Sequence, residues 1–186
     1  MHIQDLILLV IGSETDENLQ GRTLLQKKLY FLSELKGVDH GFRPHYYGPY
    51  SSLVAENLDI LVSARFLNEV KETFETDQNI FGEIRRHTYS LTSDGDIVME
   101  EIRKEAEHTG WKQALDALNN QPLANDFNML SIAAKVYYIV DRQGRTTTEQ
   151  IRQIAQEYKW NLDKAQIESV RSFLEDLSLI SVGKST

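Results

Sequence analysis

Between residues 3 and 92 the spacing of apolar side chains changes period once, and that change limits what the chain can fold into. In IQDLILLVIGSE the apolar positions Ile3, Leu6, Ile7, Val10 and Ile11 recur at helical spacing. In RTLLQKKLYFLSELKG they are Leu24, Leu25, Leu29, Phe31, Leu32 and Leu35, with Gly37 as a C-terminal stop. In SSLVAENLDILVSARF they are Leu53, Val54, Leu58, Leu61 and Val62. The pattern then shortens to alternation. FLNEVKETFE alternates through Phe66, Asn68 and Val70 and predicts a strand. A polar TDQN loop, a second strand in IFGEIRRHTYSLT and a helix in SDGDIVMEEIRKEAE follow, the helix opening at Ser93 or Asp94. Three helices and then strand, loop and strand are the pattern of a winged helix. Residues 1–107 are therefore expected to form a winged-helix domain.

Residues 108–126 read as a connector, in which WKQALDALNN suits a short helix ended by Gln121-Pro122. Residues 127–186 return to helices: MLSIAAKVYYIVDRQG, TTTEQIRQIAQEYKW and NLDKAQIESVRSFLEDL, the second with a Thr cap, the third capped by Asn161 or Asp163 and running into a strand-like LSLISV. This predicts a helical, truncated winged-helix-like or helix-turn-helix-like unit. The fold class is mainly α with a small β wing. The helix starting near Met129 is apolar at Leu130, Ile132, Ala133, Val136, Tyr137, Ile139 and Val140, most of its circumference. Such a helix is buried. The N-terminal domain or a second subunit must cover it, and a two-fold homodimer is the expected assembly.

The hydrophobic fraction of 41% and charged fraction of 26% are those of a soluble globular protein. The longest apolar run, Leu6 to Ile11, is too short to span a bilayer and follows Asp5 rather than a basic region, so neither a membrane span nor a signal peptide is expected. Without cysteine, disulfides, thiolate metal sites and a cysteine nucleophile are excluded, which fits a cytoplasmic location. The net charge of −8 is unevenly placed: residues 1–107 hold 11 Lys and Arg against 19 Asp and Glu, and the remainder holds 9 of each. Phosphate contacts dominate non-specific nucleic-acid affinity, so an acidic N-terminal unit favours a protein partner over DNA. The five histidines are scattered, His40 and His45 with Asp39 make no usual metal motif, and there is no phosphate loop. Ser93-Asp94-Gly95 is a helix start and not a nucleophile elbow. No enzymatic activity, cofactor or metal is expected.

PHYYGPYSS, residues 44–52, concentrates a histidine, three tyrosines and a Gly-Pro pair. It has two readings. His45, Tyr46, Tyr47, Tyr50 and Ser51 form a partner-binding surface, because aromatic rings bring large contact area with a polar tip. Alternatively Gly48-Pro49 shapes a turn, Tyr47 and Tyr50 wedge the third helix against the second, and Ser51 or Ser52 caps. Arg22, Lys27 and Lys28 are the basic cluster of the acidic half and read as a solvated helix face, Lys27 and Lys28 standing about 100° apart on a helix. Arg85 and Arg86 at the wing, and Lys164, Gln166 and Arg171 in the last helix, are the candidates for nucleic-acid contact. The third helix carries Glu56, Asn57 and Asp59 and no base before Arg65, which suits DNA poorly.

LLQKKLYFL, HYYGPYSSLVAENLDIL, FLNEV and HTYSLTSDG together resemble the YwgA-like winged-helix proteins and, more distantly, the Panacea domain of antitoxins. The resemblance covers roughly residues 20–105 and leaves residues 127–186 outside. It implies a winged-helix fold and a regulatory, antitoxin-like role, and supplies no catalytic residue. The function expected is thus a non-enzymatic winged-helix regulator that binds a protein partner. The alternative is a dimeric, sequence-specific DNA-binding transcriptional regulator.

Overall fold

The computed structural model describes residues 1–14, 19–75, 83–144 and 146–181, with the backbone alone at 74–75 and 83–85. The chain is mainly helical with a small antiparallel sheet. Its first half runs α1 (Ile3–Ile11), β1 (Leu19–Gln20), α2 (Arg22–Lys36), α3 (Ser52–Ser63), β2 (Leu67–Glu75), β3 (Glu83–Leu91) and α4 (Ser93–Ile102). Its second half runs α5 (His108–Asn119), α6 (Phe127–Gln143), α7 (Thr148–Glu157), α8 (Lys164–Ser169) and α9 (Arg171–Asp176). None of the described helices is long and apolar enough to cross a membrane.

α1 is the hub. All six residues from Leu6 to Ile11 are buried, because α2, α3, α4 and β3 pack around it. β2 and β3 pair from Leu67↔Leu91 to Glu75↔Glu83, and β1 adds Leu19↔Tyr89 and Gln20↔Thr88 on the other edge of β3, giving the order β1-β3-β2. The inner sheet face carries Leu67 and Tyr89 into the core. On the outer face Glu72 lies opposite Arg86 in the ladder. β1 escapes sequence reading because a two-residue strand shows no periodicity.

The apolar stripe of α6 is covered within the chain. α2 packs on both α5 and α6, Tyr30 and Phe31 lie against Tyr137, and Phe31 meets Phe173 of α9 edge-on at 5.2 Å. One apolar cluster therefore runs from Leu6 through α6 to Leu177. The burial that suggested a second subunit is supplied by α2.

Three local expectations are corrected. α4 is capped by Thr92, whose hydroxyl accepts from the Gly95 N–H at 3.1 Å, and not by Ser93 or Asp94. The last predicted helix is two short ones, broken at Val170, with Asp163 capping the first. No strand forms from Leu177 to Ser181, where the chain makes turns and bends instead.

Candidate functional site

The LLQKKLYFL segment of α2 and the loop that follows it hold the turn before α3. Gln26 grips the backbone of Ser51 at two points: its Nε2 donates to the carbonyl at 2.9 Å and its Oε1 accepts from the N–H at 3.0 Å. The Ser51 hydroxyl donates to the His40 carbonyl at 2.6 Å and accepts from the Val54 N–H at 3.2 Å, which caps α3. Ser33 gives its single hydroxyl proton to the Leu29 carbonyl at 2.6 Å, so the His40 Nδ1–H is the donor in their 2.7 Å contact. Burial pushes the His40 imidazole below its ordinary pKa, in keeping with a neutral ring.

The turn itself is a small closed loop. Arg43 and Tyr50 exchange both backbone hydrogen bonds at 2.9 Å, and the Gly48 N–H donates to the His45 carbonyl at 2.9 Å. Gly48 has φ +97, and a Cβ there would stand 3.1 Å from Lys135 Cγ and 3.4 Å from Lys27 Cε. Only glycine meets both demands. Gly48 and Pro49 are buried, whereas Tyr46 and Tyr47 are 69% and 58% exposed and Tyr50 and His45 also face solvent. The expected wedge is therefore wrong in its parts: Gly48-Pro49 is the buried piece, and the tyrosines stand outside. Their rings pack on one another, Tyr46 edge-on to Tyr47 at 4.9 Å and His45 against Tyr50 at 5.1 Å.

The aromatic cluster continues onto α3. Leu53, Asn57 and Ile60, just after Tyr50, follow helical spacing along α3, and Leu53 and Ile60 are both exposed. Glu56 and Asp59 flank this row. The result is an apolar and acidic face about two helical turns long.

Lys27 and Lys28 are not on a solvated face. They are 1% and 0% exposed. Lys28 Nζ has three acceptors: Glu14 at 2.6 Å, Asn125 at 2.9 Å and Asn119 at 3.1 Å. Lys27 Nζ donates to the Pro49 carbonyl at 2.6 Å. Burial, and then the nearby charge of Lys135, lower the Lys27 pKa to about 7. Sequence reasoning placed both lysines in water because lysine is seldom fully buried. The one signal was their place within an otherwise apolar run, LLQKKLYFL.

A second polar cluster orders the sheet. The Glu69 carboxylate, 7% exposed, accepts from the Tyr89 hydroxyl at 2.6 Å, His87 Nδ1 at 2.8 Å, Arg22 at 3.0 Å and Lys71 at 3.0 Å. Burial alone would raise its pKa, yet these donors hold it well below the usual carboxylate range. Arg22 also pairs with Asp59 at 2.8 Å, so this cluster ties α2 to α3 and β2. The Tyr89 to Gly95 part of HTYSLTSDG is explained here. Tyr89 serves Glu69, Thr92 caps α4 and donates to the Arg65 carbonyl at 2.6 Å, and a Cβ on Gly95 would lie 2.2 Å from the Phe66 carbonyl oxygen.

No model of a known protein family matches the chain, and no curated protein matches it. The site must accordingly be read from its own chemistry. Among the described residues no group of three His, Asp or Glu side chains is placed to hold a metal ion. The nucleic-acid candidates are dispersed. Arg86 is exposed on the outer sheet face, while the side chain of Arg85 lies outside the described residues. Lys164 is exposed with Glu168 at 3.9 Å, and Arg171 is exposed on α9, beyond the break at Val170. Gln166 is committed locally, since its Oε1 accepts from the Asp163 N–H at 3.0 Å in a capping box. By contrast His45, Tyr46, Tyr47 and Tyr50 are brought together in one cluster, with Ser51 buried behind them as their anchor.

Proposed function

We propose that this chain is a non-enzymatic regulatory protein of winged-helix type, antitoxin-like in mode, that works by binding a protein partner. The observation that carries the reading is the exposed aromatic turn, rigidly held from behind and continuous with the apolar row of α3. Aromatic side chains presented on a fixed backbone are the usual anchors of protein interfaces, since little entropy is lost when they are covered. The winged-helix reading draws support from the order helix, strand, helix, helix, strand, strand and from the sheet order β1-β3-β2. In that arrangement α3 is the helix offered to a partner. Its exposed residues include Leu53, Glu56, Asp59 and Ile60; Asp59 is paired with Arg22, and the Glu56 carboxylate beside the two apolar side chains repels a phosphate backbone and suits a protein surface that offers apolar and basic groups.

The test is capture from the native host with the immobilised chain, at two salt concentrations, alongside Tyr46→Ala/Tyr47→Ala/Tyr50→Ala. The expected result is a stoichiometric protein bound by the parent and lost by the variant, whose thermal transition stays close to the parent's because the rings are exposed. DNA-binding regulation as a dimer is the other reading, resting on the exposed Lys164 and Arg171. It requires duplex DNA to be retained at low salt and released steeply as salt rises.

A further inference from the structure

Two adjacent lysines are buried in α2, and their surroundings differ. An ammonium has three N–H donors. Lys28 meets three acceptors, one of them the Glu14 carboxylate. Lys27 meets one, the neutral carbonyl of Pro49 at 2.6 Å. Among the described residues no carboxylate lies within ion-pair distance of Lys27 Nζ, and the charged side chain facing it from α6 is Lys135. Lys135 is itself half-buried, and its own pKa is lowered by that burial. On the turn, Arg43, His45, Tyr46, Tyr47 and Tyr50 are the charged or titratable groups, all on the exposed side.

A neutral amine needs no counter-charge and can still donate to Pro49. An ammonium at the same place leaves two donors without acceptors among the described residues and faces the charge of a second, half-buried lysine, an arrangement that burial penalises strongly. The side chain runs beneath the turn it holds: Pro49 accepts its hydrogen bond, and a Cβ on Gly48 would stand 3.4 Å from its Cε. Water therefore reaches Nζ when the turn lifts.

We propose that Lys27 is a protonation-controlled latch on the aromatic turn, closing it as the amine and loosening it as the ammonium. This rests on the reading of the turn as an interaction surface. It adds that the surface is presented best on the alkaline side of neutrality and is loosened by acid. The lowered pKa of about 7 places the change within the physiological range. The sign follows from linkage. The closed turn binds fewer protons than the open one, in which Lys27 regains its ordinary basicity, so protons favour opening.

Amide hydrogen exchange of the free chain tests this without any partner. After correction for intrinsic rates, the N–H groups of Gly48, Tyr50 and Ser51 are expected to be about tenfold less protected at pH 6 than at pH 8. Lys27→Met should abolish that difference. His45→Gln should keep it, which matters because histidine is the side chain that ordinarily changes charge near neutrality. Equal protection at both pH values in the parent overturns the latch, as does loss of the difference in His45→Gln. Should Lys27→Met fail to fold, the lysine Cε resonances of the parent decide: a Lys27 signal titrating near neutrality supports the latch, and one titrating with the surface lysines overturns it. Failure of partner capture with these exchange results intact would count against the interaction reading alone.

Discussion

Trp160 donates its indole N–H to the carbonyl oxygen of His45 at 2.6 Å, across 115 residues of sequence. A residue in the connection between α7 and α8 thus holds the base of a turn that precedes α3. Its ring is 1% exposed and packs on Tyr138 and Tyr158, so the donor is fixed in place. Removing it should be felt on the turn and not only locally. Trp160→Phe is expected to lose about 1–2 kcal/mol, a modest figure because the His45 carbonyl keeps the Gly48 N–H as a second donor. Urea denaturation should show a lower midpoint at unchanged slope.

Gly48 is the position where the turn tolerates least. Gly48→Ala adds a methyl against Lys135 and Lys27 at a backbone angle that other residues avoid. The expected loss is about 1–3 kcal/mol. Gly21→Ala is the comparison, since it has φ +96 but nothing within 4 Å of its Cβ. A larger loss at Gly48 than at Gly21, measured as the difference in denaturation midpoints, separates crowding from backbone strain.

Lys28 should behave as the positive end of a buried pair. Lys28→Met strands the Glu14 carboxylate, 12% exposed, together with two asparagine oxygens, and should cost about 3–5 kcal/mol. Adding Glu14→Gln to Lys28→Met should recover part of the loss, which a double-mutant cycle reads directly.

Glu69 predicts an acid limb in the stability profile. Its folded pKa is depressed, so its contribution is present above the unfolded value of roughly 4.3 and disappears as the pH falls through the folded one. The stability gap between the parent and Glu69→Gln should be widest near neutrality and narrow as the solution is acidified. A gap that is constant from pH 7 to pH 3 would show that the carboxylate charge is not what the four donors hold.

Lys27 predicts the opposite limb. Its folded pKa of about 7 lies below that of an unfolded lysine, so global stability should rise as the pH climbs from 7 toward the ordinary lysine range. Lys27→Met should lack this rise. Chemical denaturation at pH 7, 8 and 9 measures it.

The elements that were legible in the sequence are those with many repeats of a period. The buried run of α1 and the stripe of α2 stand where the spacing put them, as does that of α3 apart from the exposed Leu53, and β2 and β3 pair as their alternation implied. Ser51 as the α3 cap was legible for a local reason, a hydroxyl ahead of an apolar run. What was hidden depends on contacts between distant segments. Val170 breaks the last helix where α8 and α9 pack separately against α6. The burial of Lys27 follows from α6 and the turn closing over it, and neither is near it in sequence. The wedge reading of Tyr47 and Tyr50 fails for the same reason, because once Gly48-Pro49 takes the inner position the larger rings are left facing solvent.

The oxygens around Lys28 come from three places: the end of α1, the last residue of α5 and the stretch just before α6. Charge neutralisation here doubles as a register of completeness. A fragment ending at residue 107 would retain Glu14 and lose both asparagines, and a fragment beginning at residue 108 would carry two amides with no cation to solvate. Each half is therefore expected to be less stable alone than joined to the other, and a split reporter cut after residue 107 should gain stability when both pieces meet.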